Sequence, residues 1–191
     1  MTQTKRKFAS FEEYLSFDDE TDKLNELFNG ELVELPPESG ENVGITNFLF
    51  LQFAAIVGHL RIRGHGLELE VRGEPKNRYP DLTIIREEHL TQLQRRNTIR
   101  LFMEPPLLVI EVVSPGGESR ERDYTDKRSQ YQDRGIPEYW LIDPNRKIIT
   151  VLQLEGNVYT EVGVFDGNDL IQSIEFPNLI ISAEQVLKAG H

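Results

Sequence analysis

The residues with the strongest claim to chemistry are Glu111, Asp81, Lys127 and Tyr131. Glu111 interrupts the run LLVIEVV (107–113), which is too short and too rich in Val and Ile for a helix. Lacking polar alternation, the run reads as a strand covered on both faces. An ionised carboxylate buried there without a partner would cost on the order of several kcal/mol, so a cation, a metal ion or a raised pKa must accompany it. Asp81 follows Pro80, whose ring fixes its own φ and keeps Tyr79 extended, so the carboxylate is delivered at the start of a stiff segment. Two carboxylates on neighbouring strands can hold a hard divalent cation such as Mg²⁺ through oxygen. A lysine beside them can orient or help deprotonate a bound water and stabilise a phosphorane-like charge. That combination hydrolyses phosphodiesters. The alternative is a metal-free buried ion pair between Glu111 and Lys127.

Lys127 must come from the segment Glu118–Arg134, which has helical composition but contains no Leu, Ile, Val, Met or Phe. If 138–143 is the next strand, this helix is the crossover of a βαβ unit and has no aliphatic stripe to press on the sheet. At 3.6 residues per turn Tyr124, Lys127, Arg128 and Tyr131 share one face, so the sheet-directed surface is tyrosine plus a cation. Lys127 can therefore point at Glu111. Tyr131 offers a hydroxyl to a water or phosphate oxygen, and core packing explains it about as well. Asp123, four residues before Lys127, reads as its surface partner. Glu26, in an early hairpin, is a further candidate metal ligand or a solvated strand residue.

The remaining elements follow from periodicity and turn chemistry. Ser10-Phe11-Glu12-Glu13 forms a capping box that opens a short helix. Asn29-Gly30 between apolar residues signals a type I′ hairpin. Ile45, Phe48, Leu49, Phe53, Ile56 and Leu60 recur at helical spacing over 41–61. Strands are expected at 67–71, 79–85, 147–154 and 157–165, a short polar helix at 87–96 and a closing helix from Ser182. The pattern is one α/β domain with a mixed sheet.

With 38% hydrophobic residues in 191, the chain can bury a substantial core. It has no Cys, which removes disulfides, thiolate metal sites and a Cys nucleophile, and suits a cytoplasmic location. No apolar run approaches the roughly 18 residues of a membrane span. A formal net charge of −11 argues against broad phosphate binding. Positive charge is nonetheless gathered at Arg95, Arg96 and Arg100 and at Arg120, Arg122, Lys127 and Arg128, where a solvated surface is the plain reading. No phosphate loop, nucleophile elbow or HExxH is present, and His59, His65, His89 and His191 show no ligand spacing.

Pro80-Asp81, the strand LLVIEVVSP, the helix RDYTDKRSQY and GIPEYWLIDP together resemble the Uma-two family of the PD-(D/E)XK restriction-endonuclease superfamily. The similarity runs from the NGELVELPPES hairpin to the Ser182 helix. It implies a single restriction-endonuclease-like domain over 1–191 with its core at about 20–170. The fold implied is a mixed β-sheet flanked by helices, with an N-terminal β-hairpin and additional C-terminal strands. It further implies Mg²⁺-dependent cleavage of DNA, with Mn²⁺ as a substitute, by a homodimer. Asp81 then takes the place of the PD aspartate and Glu111 that of the second acidic residue. Val113 replaces the lysine expected two positions on, and Lys127 with Tyr131 from the following helix takes over. A binding or scaffold module that keeps the fold without catalysis is the competing reading.

Overall fold

The computed structural model describes residues 6–17, 23–114 and 122–191. A short helix α1 (Phe11–Leu15), capped by the Ser10 hydroxyl, packs on the hairpin of β1 (Asn25–Phe28) and β2 (Glu31–Glu34). Asn29 and Gly30 have φ of 50° and 80°, the left-handed pair that a type I′ turn requires. The long helix α2 (Gly40–Val57) follows. Its expected extension to Arg61 fails because Gly58 turns to φ 80°. The chain then enters a three-residue strand, β3 (Ile62–Gly64), too short for periodicity to show.

The main sheet has six strands in the order β11-β10-β9-β8-β6-β3. Besides β3 these are β6 (Leu82–Ile84), β8 (Leu108–Val112), β9 (Glu138–Asp143), β10 (Ile148–Glu155) and β11 (Val158–Phe165). Among the described residues of this sheet only β8 and β9 run parallel, so the sheet is mixed and that pair needs the crossover anticipated from sequence. The expected strand at 67–71 is not in this sheet. Gly66, at φ 145°, redirects the chain after β3. Strands β4 (Glu68–Glu70), β5 (Asn77–Arg78) and β7 (Thr98–Ile99) then form a separate three-stranded sheet. The polar helix expected at 87–96 shortens to α3 (His89–Gln92).

β8 is covered on both faces, as its composition demands. Leu108, Ile110 and Val112 join Ile45, Leu49 and Phe53 of α2 and Trp140 and Ile142 of β9 in one core. Val109 and Val113 face the other way, among Tyr131, Tyr139 and Leu141. Each such aliphatic side chain contributes about 1.5–3 kcal/mol by leaving water. Glu111 has the parity of the second face, over which the crossover runs.

Residues 118–121 of that crossover lie outside the described residues. From Arg122 to Lys127 the backbone makes a π-helical turn, which passes into α4 (Arg128–Arg134) and stops at Gly135, at φ 80°. Such widened turns concentrate at functional sites. The chain closes with α5 (Ala183–Lys188), opened by a capping box at Ser182. No helix among the described residues is long and apolar enough to cross a membrane.

Candidate functional site

Three strands of the main sheet align the site. In the antiparallel pair β6–β8, Leu82 faces Ile110 and Thr83 faces Val109. In β3–β6, Gly64 faces Leu82. One step past the last paired residues, both registers converge: His65 falls opposite Asp81, and Asp81 opposite Glu111. Neighbouring strands lie about 4.8 Å apart, so three ionisable side chains form a row on one face of the sheet. Asp81 is fixed in that row by the Val112 N–H, which donates to Oδ2 at 2.6 Å. His65 Nδ1 lies 3.7 Å from the other oxygen, Oδ1.

The crossover supplies the opposite wall. Lys127 Nζ donates to Glu111 Oε2 at 2.7 Å, and Tyr131 Oη donates to Oε1 at 2.5 Å. Lys127 also pairs with Asp123 at 2.9 Å. Spacing in the sequence suggests a surface pair, but Asp123 is 2% exposed. The π turn brings both residues inward, and the buried Tyr139 hydroxyl donates to the Asp123 carbonyl at 3.0 Å.

These contacts set the protonation states. Burial, opposed by Lys127, raises the Glu111 pKa above the usual carboxylate range. Burial also disfavours the Lys127 ammonium, but Glu111, Asp123 and Asp81 more than offset it and raise the lysine pKa. Lys127 therefore remains a fixed positive charge and cannot serve as a base near neutrality. Tyr131 is raised well above the ordinary phenol value, by burial first and then by Glu111, and stays a donor. The Asp81 carboxylate raises the His65 pKa against the opposing effect of burial.

Asp81, Glu111 and Lys127 line a cleft of about 280 Å³ together with Glu38, His65 and Glu26. Ligand atoms of Glu38, His65 and Asp81 lie within 4.8 Å of one another, a set that could hold a metal ion. Their nitrogen and oxygen donors fit a divalent cation. Both oxygens of Glu111 already accept hydrogen bonds. Glu26 reaches the cleft wall from β1, where Arg78 Nη1 donates to its two oxygens at 3.1 and 3.2 Å.

The four residues singled out from sequence thus come together in space. Glu38 and His65 were missed. His65 reaches Asp81 through strand register across 16 residues, which leaves no local spacing to detect. Glu38 sits in the turn before α2 and donates nothing to periodicity. The basic stretch at 95–100 does not reach the cleft: Arg96 pairs with Glu68 at 3.4 Å, and Arg100 with Glu70 and Glu12 at 2.7 and 2.5 Å. Arg128 donates to the Tyr159 carbonyl. Arg120 and the Arg122 side chain lie outside the described residues.

Comparison with known proteins identifies a family and a fold. The model of the Uma2 family, described as "Putative restriction endonuclease", matches residues 11–184. No curated protein matches the chain. Among solved structures, a "putative nuclease belonging to DUF820" from Anabaena variabilis superposes with a TM-score of 0.70, covering 94% of this chain and 98% of that one. The two are 20% identical, a likeness of fold.

Proposed function

The chain belongs to the Uma2 restriction-endonuclease family, and we propose that it is a divalent-metal-dependent nuclease that hydrolyses phosphodiester bonds in DNA at the row of Asp81 and Glu111 faced by Lys127. The observation that carries this reading is the Glu111 carboxylate. It is 1% exposed, lies beside a fixed ammonium, and lines a cleft that also holds a second strand carboxylate.

Asp81, with one oxygen anchored by a backbone N–H, turns the other towards Glu38 and His65 and would hold the cation with them. A bound divalent ion, Mg²⁺ or Mn²⁺, polarises phosphate oxygens and lowers the pKa of a coordinated water. Glu111, held ionised by the Lys127 and Tyr131 donors on its two oxygens, is the carboxylate beside that set that would take the proton of an attacking water. Tyr131 fixes the orientation of that carboxylate. Lys127 holds its proton and stabilises the charge that develops on phosphorus-bound oxygens. Glu26 is assigned to the neutralisation of the buried Arg78, at the edge of the same cleft. In a chain of net charge −11, with Lys127 already paired to Glu111 and Asp123, a bound divalent cation would supply the attraction for a polyanion that the protein's own charges do not.

Cleavage of linear and plasmid DNA with Mg²⁺ or Mn²⁺ tests the proposal. Asp81→Asn and Glu111→Gln should each lower the rate at least ~100-fold with the circular dichroism of the wild type retained. Undiminished cleavage by both folded variants would remove these residues from the mechanism. A wild type that binds DNA without cleaving it, with metal present, would favour the non-catalytic binding module.

A further inference from the structure

We propose that His65 is itself a metal ligand, through Nδ1, and that it makes the centre of the proposed nuclease selective for a borderline, imidazole-accepting divalent cation over Mg²⁺. The inference rests on the metal-dependent reading above and concerns a residue that no strand or helix motif marks.

The geometry of two atoms carries it. His65 Nδ1 is shielded from solvent and has no hydrogen-bond partner among the described residues. It stands 3.7 Å from Asp81 Oδ1, too far for a hydrogen bond. A buried imidazole nitrogen left without a partner is uncommon in folded proteins and invites an explanation. Asp81, with a side chain 8% exposed, has Oδ2 engaged by Val112, and among the described residues no hydrogen bond reaches Oδ1. Two ligands that each lie about 2.0–2.3 Å from one ion sit roughly 3–4 Å apart, the separation seen here. Glu38 adds a third donor within 4.8 Å, with its Oε2 accepting from Asn42 Nδ2 at 3.0 Å and thereby oriented.

The donor set decides the metal. Mg²⁺ favours oxygen ligands and gives up water reluctantly, whereas imidazole suits the later first-row ions. One nitrogen with two carboxylates therefore tilts the site away from Mg²⁺ and towards Co²⁺ or Zn²⁺, with Mn²⁺ between them. A direct hydrogen bond of His65 Nδ1 to Asp81 would instead require the ring to move closer, and would take that nitrogen away from a metal held by Asp81.

The test uses the full chain with Mn²⁺ and Mg²⁺ as probes. Wild type, His65→Ala, His65→Gln and Asp81→Asn are titrated with each ion by calorimetry, and the Mn²⁺ complexes are examined by electron spin echo envelope modulation. The wild type should bind Mn²⁺ at least ~10-fold more tightly than Mg²⁺ and show coupling to a ¹⁴N nucleus. In both His65 variants the ¹⁴N signal should vanish and Mn²⁺ affinity fall about tenfold or more, while Mg²⁺ affinity changes less than about threefold. Mn²⁺ bound without nitrogen coupling, or equally well in the His65 variants but not in Asp81→Asn, overturns the role of His65 and leaves the metal-dependent nuclease standing. Absence of Mn²⁺ binding by the folded wild type overturns both.

Discussion

Two buried glutamates occupy adjacent strands of the same sheet and are treated in opposite ways. Glu138, in β9, lies on the face with Trp140 and is enclosed by four neutral donors. The Trp140 indole N–H and the Ser173 hydroxyl reach Oε1 at 2.5 and 2.8 Å, and the backbone N–H groups of Ile174 and Glu175 reach Oε2 at 2.8 Å. Its carboxylate ties the 173–176 segment to the sheet. Glu111, one strand over and on the other face, has a phenol and an ammonium instead, and it borders a cleft with a second carboxylate across the sheet. Burial alone therefore does not mark a catalytic acid. The informative feature is a charged partner together with a bordering cleft, both of which Glu111 has.

Breaking the charged cluster should have the largest effect. Lys127→Met removes the cation shared by Glu111 and Asp123 and leaves two buried carboxylates facing one another. Urea unfolding should show a loss of about 3–5 kcal/mol. A loss below about 1 kcal/mol would mean that the cluster is far more hydrated than its burial indicates.

A smaller loss is expected on the other face. Glu138→Gln substitutes an NH₂ for one acceptor oxygen and turns it against neighbouring donors, at a cost of about 1–3 kcal/mol. DNA cleavage per folded molecule should be unchanged. If cleavage fell together with stability, the two glutamates would be coupled and the contrast between them would fail.

The smallest effect concerns a third buried polar group, His89, which is satisfied only when neutral. Its Nδ1 accepts from the Arg86 N–H at 3.3 Å and its Nε2 lies 3.0 Å from the Glu104 carbonyl, to which it donates. Burial, opposed by that carbonyl, lowers its pKa below the ordinary 6.5. The unfolded chain therefore binds a proton that the folded one refuses. Its contribution to stability is full above pH ~6.5 and is lost as pH falls towards the depressed folded value. His89→Gln should shrink the drop in Tm between pH 7.5 and 5.5 by about 1–3 °C. An unchanged drop would assign acid sensitivity to the carboxylates instead.

Much of this arrangement is legible in the sequence because it violates a local rule. A glutamate in an apolar strand and a crossover helix without aliphatic residues are both inconsistent with ordinary packing, and together they point Lys127 at Glu111. Pro80 announces a stiff entry for Asp81. What stays hidden depends on tertiary register. β3 is too short to show alternation, so nothing local brings His65 to Asp81. The division of the strands into two sheets follows from Gly66, whose backbone freedom can be read but not its direction. The π turn at Arg122–Lys127 has no compositional signature, and it is what buries Asp123.

The row headed by Asp81 is proposed as a metal centre, distinct from the structural carboxylate of Glu138 on the opposite face. Side-by-side calorimetric titration of Mn²⁺ into wild type, Asp81→Asn and Glu138→Gln tests it most directly. Binding is expected in wild type and Glu138→Gln and none in Asp81→Asn. Binding that persists in folded Asp81→Asn, or that is absent from the folded wild type at millimolar metal, would contradict it.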